Sequence, residues 1–269
     1  MVGQDFAGYS VTRRLANGGM TNIFVGVDGA QRRVLIRMIR PELAGDRRVL
    51  ASFLHGAVVL ARLKHPNVVR LIQGGAEKKQ PFMVVEFVEG SNLRELISQR
   101  APLLHMNPLS LMRQMAAALC YVHIAGFWHL DFKPENLIVC EDGHVVLVDF
   151  DLAMDRKPKP VRLHPLPGTF AYLPPETLNT EQVDDQTDIY AFGVTCYEML
   201  TNHKPFEGVT PDDSRRMQLD PRMNPKSMRL HNAQLRPTLE RIVFKCLARQ
   251  QHERYPSMSL VQRDLETLV

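Results

Sequence analysis

Short apolar runs broken by turn residues fill the first third of the chain, and residues 9–15, 23–27, 34–39, 68–73 and 82–87 each read as a strand. Between the third and fourth of these runs, residues 47–63 carry Phe53, Leu54, Val58, Leu60 and Ala61 at spacings of three and four, the pattern of a helix laid on a sheet. Past Glu89 the period changes. Residues 93–100, 110–125, 188–200 and 239–249 all show helical periodicity, with few strand-like runs among them. The pattern predicts an α+β chain, a small β-rich lobe with one main helix over about residues 1–88 and then a larger helical lobe over about residues 89–269, and the length fits either one large domain or two lobes sharing a cleft.

Composition narrows the possibilities. With 45% apolar and 23% charged residues the chain is ordinarily globular rather than disordered. The net charge of +4 comes from 33 Lys and Arg against 29 Asp and Glu in both halves, too small a surplus to argue for a nucleic acid or membrane partner. Cys120, Cys140, Cys196 and Cys246 are widely separated and form no C-x-x-C pair, which fits reduced thiols and a cytoplasmic setting. The N-terminus lacks the basic and apolar regions of a secretory signal. The longest charge-free stretch, residues 114–130, is slightly short for a membrane span and is interrupted by Gln114, His123 and Gly126, so a buried helix followed by a strand is expected there. No internal repeat is present. Pro158, Pro160, Pro165 and Pro167 make residues 156–167 a constrained surface loop; its Arg156, Lys157, Lys159 and Arg162 are either simply solvated or a dock for an acidic partner.

The chemistry concentrates in His129-Leu130-Asp131-Phe132-Lys133-Pro134-Glu135-Asn136, followed after a hairpin-like stretch by Asp149-Phe150-Asp151. In order and spacing these resemble the catalytic loop H-R-D-L-x-x-x-N and the metal motif D-F-G of the protein kinases, most closely the bacterial serine/threonine kinases. His65-Pro66-Asn67, Gly168-Thr169, Pro174-Pro175-Glu176, Asp188-Ile189-Tyr190 and Arg254 extend the resemblance over essentially the whole chain. It implies a bilobal kinase fold, Asp131 as the base that orients the attacking hydroxyl, Lys133 as the neutraliser of the transferring phosphoryl group, and Asn136 and Asp149 as oxygen ligands of Mg²⁺. The same residues admit a plainer reading in which Asp131 and Asn136 only hydrogen-bond the loop backbone.

The first lobe departs from the family pattern. The phosphate-covering loop G-x-G-x-x-G-x-V aligns with residues 16–23, where Ala16 and Thr21 replace two glycines, Gly18 survives, and Ile23 stands at the valine. The strand motif V-A-I-K reads Val34-Leu35-Ile36-Arg37, exchanging a compact ammonium for a planar guanidinium. Losing one preorganised contact of this kind costs about 10² to 10³ in rate. Leu35 stands where a small alanine meets adenine, and either fills that pocket or turns into core. Gly56 stands where the lysine's glutamate partner belongs, and Asp151 replaces the glycine of D-F-G, which leaves open a substitute pair between Arg37 and Asp151. By the resemblance, Glu86 and Val88 offer backbone groups to adenine after a small gatekeeper, Val85, and Ile138 belongs to the same nucleotide site.

Two further positions bear on regulation. The arginine that in many relatives holds an activation-segment phosphate is Leu130, and no Ser, Thr or Tyr lies between Asp151 and Gly168, so that stretch cannot be phosphorylated. Leu60, Leu71, His129 and Phe150, anchored by Asp188, match the apolar stack that connects the lobes, and also match ordinary core. The expectation is a pseudokinase, a kinase-shaped module whose ATP and Mg²⁺ binding is weak or absent and which acts through a protein partner. The alternative is an atypical serine/threonine kinase of low activity that uses ATP and Mg²⁺ on a protein substrate.

Overall fold

The computed structural model describes residues 1–17, 19–77 and 80–268. The first lobe is built on β1 (Asp5–Phe6), β2 (Tyr9–Asn17), β3 (Thr21–Val27), β4 (Arg33–Ile39), β5 (Leu71–Glu77) and β6 (Gln80–Glu86), an antiparallel sheet in the order β1-β2-β3-β4-β6-β5. Helix α1 (Arg47–Arg62) separates β4 from β5 and starts where the Asp46 carboxylate accepts the backbone N–H groups of Arg48 and Val49. It turns Phe53, Gly56, Val59 and Leu60 inward.

Alternation along β4 decides which residues reach the cleft. Val34, Ile36 and Met38 pack into an outer cluster with Tyr9, Phe24, Phe82 and Val84. Leu35, Arg37 and Ile39 therefore share the opposite face, where Leu35 and Ile39 meet the main core and the register sets Leu35 against Val85 and Arg37 against Met83.

The second lobe runs through β7 (Ser91–Asn92), α2 (Leu93–Ser98), α3 (Leu103–Met106), α4 (Pro108–Ile124), β8 (Phe127–Trp128), β9 (Leu137–Val139) and β10 (Val145–Leu147). It continues with β11 (Met154–Asp155), β12 (Val161–Arg162), α5 (Pro175–Thr180), β13 (Gln182–Val183), α6 (Asp185–Thr201), α7 (Pro211–Leu219), α8 (Pro237–Cys246) and α9 (Met258–Glu266). Helix α6 is the lobe's axis. A capping box between Asp184 and Thr187 starts it, and every residue from Thr187 to Thr201 is buried. Residues 114–130 form the end of α4 and β8, as expected, and no helix among the described residues is long and apolar enough to cross a membrane.

The expected strand over residues 68–73 lies elsewhere. Val68 makes only an isolated bridge to Leu147, and Val69 N–H donates to the Leu147 carbonyl at 2.9 Å, so the two buried valines dock on the second lobe. The strand proper is the exposed Leu71–Glu77, held at the sheet edge by backbone pairing with β6 rather than by an apolar pattern. Four helices escaped the periodicity. Two of them, α3 and α5, are too short to show a period, and α7 is mostly polar, while α9 buries only Met258, Val261 and Leu265.

Candidate active site

Asp188, in the first turn of α6, is fully buried and fixes the loop that precedes β9. Its Oδ2 accepts the His129 N–H at 2.8 Å and lies 2.8 Å from His123 Nε2, while Oδ1 accepts the Leu130 N–H at 2.8 Å. Burial pushes this carboxyl up, but His123, His129 and the backbone N–H bonds together outweigh it and hold the group below its ordinary value. Leu130 takes the left-handed conformation at φ 62°, and its carbonyl lies where a Cβ on Gly168 would come within 2.8 Å. Gly168, itself at φ +88°, therefore has to be glycine for the next segment to close over the loop.

The loop then presents a carboxylate gripped from two sides. Lys133 Nζ lies 2.8 Å from Asp131 Oδ2 and donates to Thr169 Oγ1 at 3.0 Å, and Asn136 Nδ2 donates to Asp131 O at 2.8 Å and Oδ2 at 3.0 Å. Asn136 thus performs the structural role of tying the loop. Its Oδ1 and the Oδ2 of Asp149 accept no hydrogen bond from the protein among the described residues. His129 meets Phe150 edge to face at 4.9 Å, and Leu60 and Phe150 belong to one buried cluster on which Leu71 packs, so the stack between the lobes is assembled.

Across the cleft the charges are rearranged. Arg37 is only 7% exposed, and its Nη2 donates to Asp151 Oδ2 at 2.8 Å and Asp149 Oδ1 at 3.3 Å while Nη1 lies 3.9 Å from Met83 Sδ. The substitute pair of Arg37 with Asp151 is therefore formed. Burial works against the guanidinium charge, but the two carboxylates hold it firmly protonated. One cation cannot serve the buried Asp151 and the half-buried Asp149 equally. Burial pushes Asp151 up to about 6 against the pull of Arg37, whereas at Asp149 burial is outweighed by Arg37 together with the Asp151 N–H and His129, and the carboxyl stays low.

Gly56 explains why the pair moved. A Cβ there would lie 2.8 Å from the Phe150 carbonyl oxygen and 3.3 Å from Asp151 Cα, so α1 rests directly on the backbone of Phe150-Asp151 and leaves no space for a glutamate. Ser52 Oγ, four residues earlier on α1, donates to the Asp151 carbonyl. The carboxylate has in effect passed from the helix to the strand end, with the balance of one cation against two acids kept.

Of the other positions expected at a nucleotide site, Leu35 and Ile23 are half-buried on the Arg37 face of the sheet, and Val88 beyond β6 and Ile138 on β9 are half-buried as well. Glu86 Oε1 accepts the Arg70 N–H at 2.9 Å and its own N–H donates to the Arg70 carbonyl, which fixes the strand end before Val88. Ala16 pairs with Ile23 in the sheet, and Gly18 lies outside the described residues.

The segment after Asp151 is tied down without a phosphate. β11 pairs with β8, β12 pairs with β13, and Leu130 is buried with Trp128 and Val183 against Met154, Val161, Leu163 and Leu166. Of the basic loop residues, Arg156 pairs with Asp185 and Arg162 with Glu181 at 3.1 Å, so half of the expected basic patch is neutralised within the chain.

One cluster beside the loop was not legible. Arg94 on α2 donates to Glu198 Oε1 at 2.6 Å, Glu135 at 2.8 Å and the Tyr172 hydroxyl, which in turn donates to Glu198 at 2.6 Å. It knits α2, the Asp131 loop, α6 and the segment before α5 together. The available signal was Glu198, a carboxylate within the mostly apolar stretch 189–200 of α6.

Comparison with known proteins agrees with this geometry. The protein kinase domain matches residues 9–265. Serine/threonine-protein kinase PknL of Mycobacterium tuberculosis is 31% identical over 262 residues, 97% of this chain and 65% of that protein. Probable serine/threonine-protein kinase PknB of Lactococcus lactis is 30% identical over 272 residues, and serine/threonine-protein kinase PrkC of Bacillus subtilis is 28% identical over 270 residues, each match covering 99% of this chain. The chain spans less than two thirds of each relative, 43% of PknB and 41% of PrkC. With the assembled catalytic loop, the inter-lobe stack and a match over nearly its full length, the chain belongs to the protein kinase domain family.

Proposed function

We propose that this domain is a pseudokinase-like binding module, with weak or absent ATP-dependent phosphoryl transfer, that acts on a protein partner. The observation that carries the reading is the disposition of Arg37. A residue meant to meet phosphates must keep donors turned toward the cleft. Arg37 is sealed from solvent, with Nη2 committed to Asp149 and Asp151 and Nη1 turned to Met83. The half-buried Leu35 on the same face adds bulk where adenine would enter.

The residues present fit a divalent cation in part. Asn136 Oδ1 and Asp149 Oδ2 are the two oxygens open to one, and Mg²⁺ at such a site takes its remaining ligands from water and phosphate oxygens. Bound there, ATP and Mg²⁺ would supply the phosphoryl group and the charge that neutralises it. Arg37 competes for Asp149, which weakens the site further.

A second reading, a low-activity serine/threonine kinase, is favoured by the loop itself. Lys133 bridges Asp131 and Thr169, and Asn136 fixes the same carboxylate, an arrangement suited to orienting a substrate hydroxyl and accepting its proton. The relatives are named as serine/threonine-protein kinases, which makes a protein the expected partner under either reading.

Calorimetric titration with ATP, with and without Mg²⁺, tests the choice, with Asp149→Ala as control. The module reading expects no saturable heat up to about 1 mM ATP. Binding that requires Mg²⁺ and is lost in Asp149→Ala would overturn it in favour of the kinase.

A further inference from the structure

Helix α1 is apolar on two sides. Its inner side, with Phe53, Gly56, Val59 and Leu60, is buried in the main core and against the Phe150-Asp151 backbone. The sequence pattern counts Leu54, Val58 and Ala61 with that stripe, but in the fold all three turn to solvent. Leu54 is 46% and Val58 48% exposed, and neither joins a hydrophobic cluster among the described residues. The reason is helical phase: Leu54, Val58 and Ala61 follow the exposed Ala51 at steps of three and four, so these four residues share one face, turned away from Phe53 and Leu60. A single exposed leucine is ordinary on a protein surface. A continuous apolar line on a helix whose other side is already core is the pattern of a helix covered on both sides.

The charges along this line have one sign. No Asp or Glu occurs in α1. Arg47 stands on the line itself, one turn before Ala51, and Arg62 stands one turn after Val58; both are exposed. Neither guanidinium pairs with a carboxylate among the described residues, and Arg62 lies 6.0 Å from the Phe127 ring instead. The neighbouring acid, Asp46, is engaged by the N–H groups of Arg48 and Val49 at the start of the helix.

We propose that the outer face of α1 docks a protein partner through an acidic amphipathic helix, whose apolar side covers Leu54 and Val58 and whose carboxylates meet Arg47 and Arg62. The steps of three and four make the seam of a two-helix contact, in which Leu54 and Val58 project while Ala51 and Ala61 admit a close approach. The 16 residues of α1 extend about 24 Å, room for about four turns of a partner. A second copy of this chain is a poor occupant, because a parallel pairing sets Arg47 against Arg47 and an antiparallel one sets Arg47 against Arg62. An anionic membrane fits less well than a helix. Interfacial helices present a broad apolar face with Trp or Phe, whereas this line has two large side chains and no aromatic. The inference rests on the protein partner of the proposed function and is indifferent to whether the cleft binds ATP.

The test is fluorescence anisotropy of a labelled 21-residue peptide titrated with the whole chain in about 50 mM salt, low enough that screening does not mask the charges. The peptide carries three heptads with Ile at a, Leu at d and Glu at e and g; a second peptide with Lys at e and g is the charge control. Saturable binding of the acidic peptide is expected with Kd below about 100 μM, and binding of the basic one at least about tenfold weaker. Leu54→Gln together with Val58→Gln, both exposed changes, should weaken binding at least about tenfold, and Arg47→Glu likewise. Arg100→Glu, at an exposed arginine of the second lobe, should leave it within about twofold. No binding of the acidic peptide up to about 1 mM overturns the proposal, as does equal binding of the basic peptide or binding that survives the Leu54 and Val58 changes. Vesicles of equal parts phosphatidylglycerol and phosphatidylcholine that capture the chain through Leu54 and Val58, when the peptide does not bind, would overturn it in favour of a membrane. A chain that binds both ATP with Mg²⁺ and the acidic peptide would overturn the pseudokinase reading and leave this one standing.

Discussion

The two walls of the cleft neutralise their acids in different ways. On the catalytic-loop side, Asp131 faces Lys133, whose side chain keeps 19% of its surface, and the pair also reaches the hydroxyl of Thr169. On the opposite side Arg37 is buried between Asp149 and Asp151, under a helix that rests at Gly56 on the Phe150-Asp151 backbone. The first arrangement leaves its cation partly exposed; the second seals one between two carboxylates. A buried pair gives little net stability as a unit yet becomes a large liability when one partner is removed, and the liability is smaller for the partly exposed Lys133–Asp131 pair, whose carboxylate Asn136 also holds.

The sharpest way to break this contrast is to remove each cation in turn. Arg37→Met leaves two buried or half-buried carboxylates without their counter-ion and is expected to cost about 3–5 kcal/mol of unfolding free energy at neutral pH. Lys133→Met should cost about 1 kcal/mol or less. Urea denaturation of both variants measures the difference, and equal losses would mean that the two walls do not differ in kind. Asp151→Gly added to Arg37→Met should recover most of the stability, since it removes the acid that the guanidinium compensates.

Next in size is the packing of α1. Gly56→Ala places a methyl 2.8 Å from a carbonyl oxygen that cannot swing away, and overpacking of this kind costs about 1–3 kcal/mol. A control at Ala57, half-buried on the same helix, should tolerate change to glycine at about 1 kcal/mol, the helix-propensity cost alone. If Gly56→Ala is as stable as the parent in thermal denaturation, α1 does not rest on Phe150-Asp151 as described.

Acidification pulls the two walls in opposite directions. Asp151 is raised to about 6 by burial, so its contribution to stability is complete below the unfolded value near 4 and is lost as pH rises through about 6. His129, kept neutral by burial, has a lowered value; its contribution is present above the unfolded value near 6.5 and is lost as pH falls through it. Between pH 7 and 5 the parent should therefore gain about 1 kcal/mol relative to Asp151→Asn. Parallel pH profiles for the two proteins would show that Asp151 does not titrate in that window.

How much of this was legible in the sequence follows the same division. Where a cluster is built from contiguous residues at fixed spacing, as in the loop from His129 to Asn136, order and residue type sufficed, because one short stretch supplies the carboxylate, its cation and its tether. The altered wall depends on contacts between residues far apart. Arg37 and Asp151 are separated by 114 positions, and which face of β4 carries Arg37 follows from alternation, but the tight seat of α1 on Phe150 does not. Sequence could offer the Arg37–Asp151 pair only as one of several outcomes. The Arg94 cluster was hidden for a related reason: four segments meet around Arg94, and none of them announces the others. In the fold, strongly periodic helices were legible, while the short or polar α3, α5 and α7 were not, since their ends are set by neighbours rather than by an apolar stripe.

The smallest expected effect concerns the segment that closes over the loop, and it extends the contrast beyond the cleft. Two kinds of contact hold residues 152–167: surface ion pairs such as Arg162 with Glu181, and the apolar cluster around the buried Leu130. The Arg162 side chain is 72% exposed and Glu181 is 29% exposed, so water screens their attraction and Arg162→Ala should change stability by less than about 1 kcal/mol. Leu130 is 3% exposed and lies among Trp128, Val183 and the partly buried Met154 and Val161, so truncating it removes contacts that no solvent replaces. Limited proteolysis reads this difference directly, because cleavage within the segment requires it to lift from the lobe. Arg162→Ala should be cut at the parent's rate and Leu130→Ala several times faster. The reverse order would mean that charge rather than apolar packing holds the segment, in which case the leucine at the arginine's usual place has not replaced phosphate-dependent ordering with a permanent one.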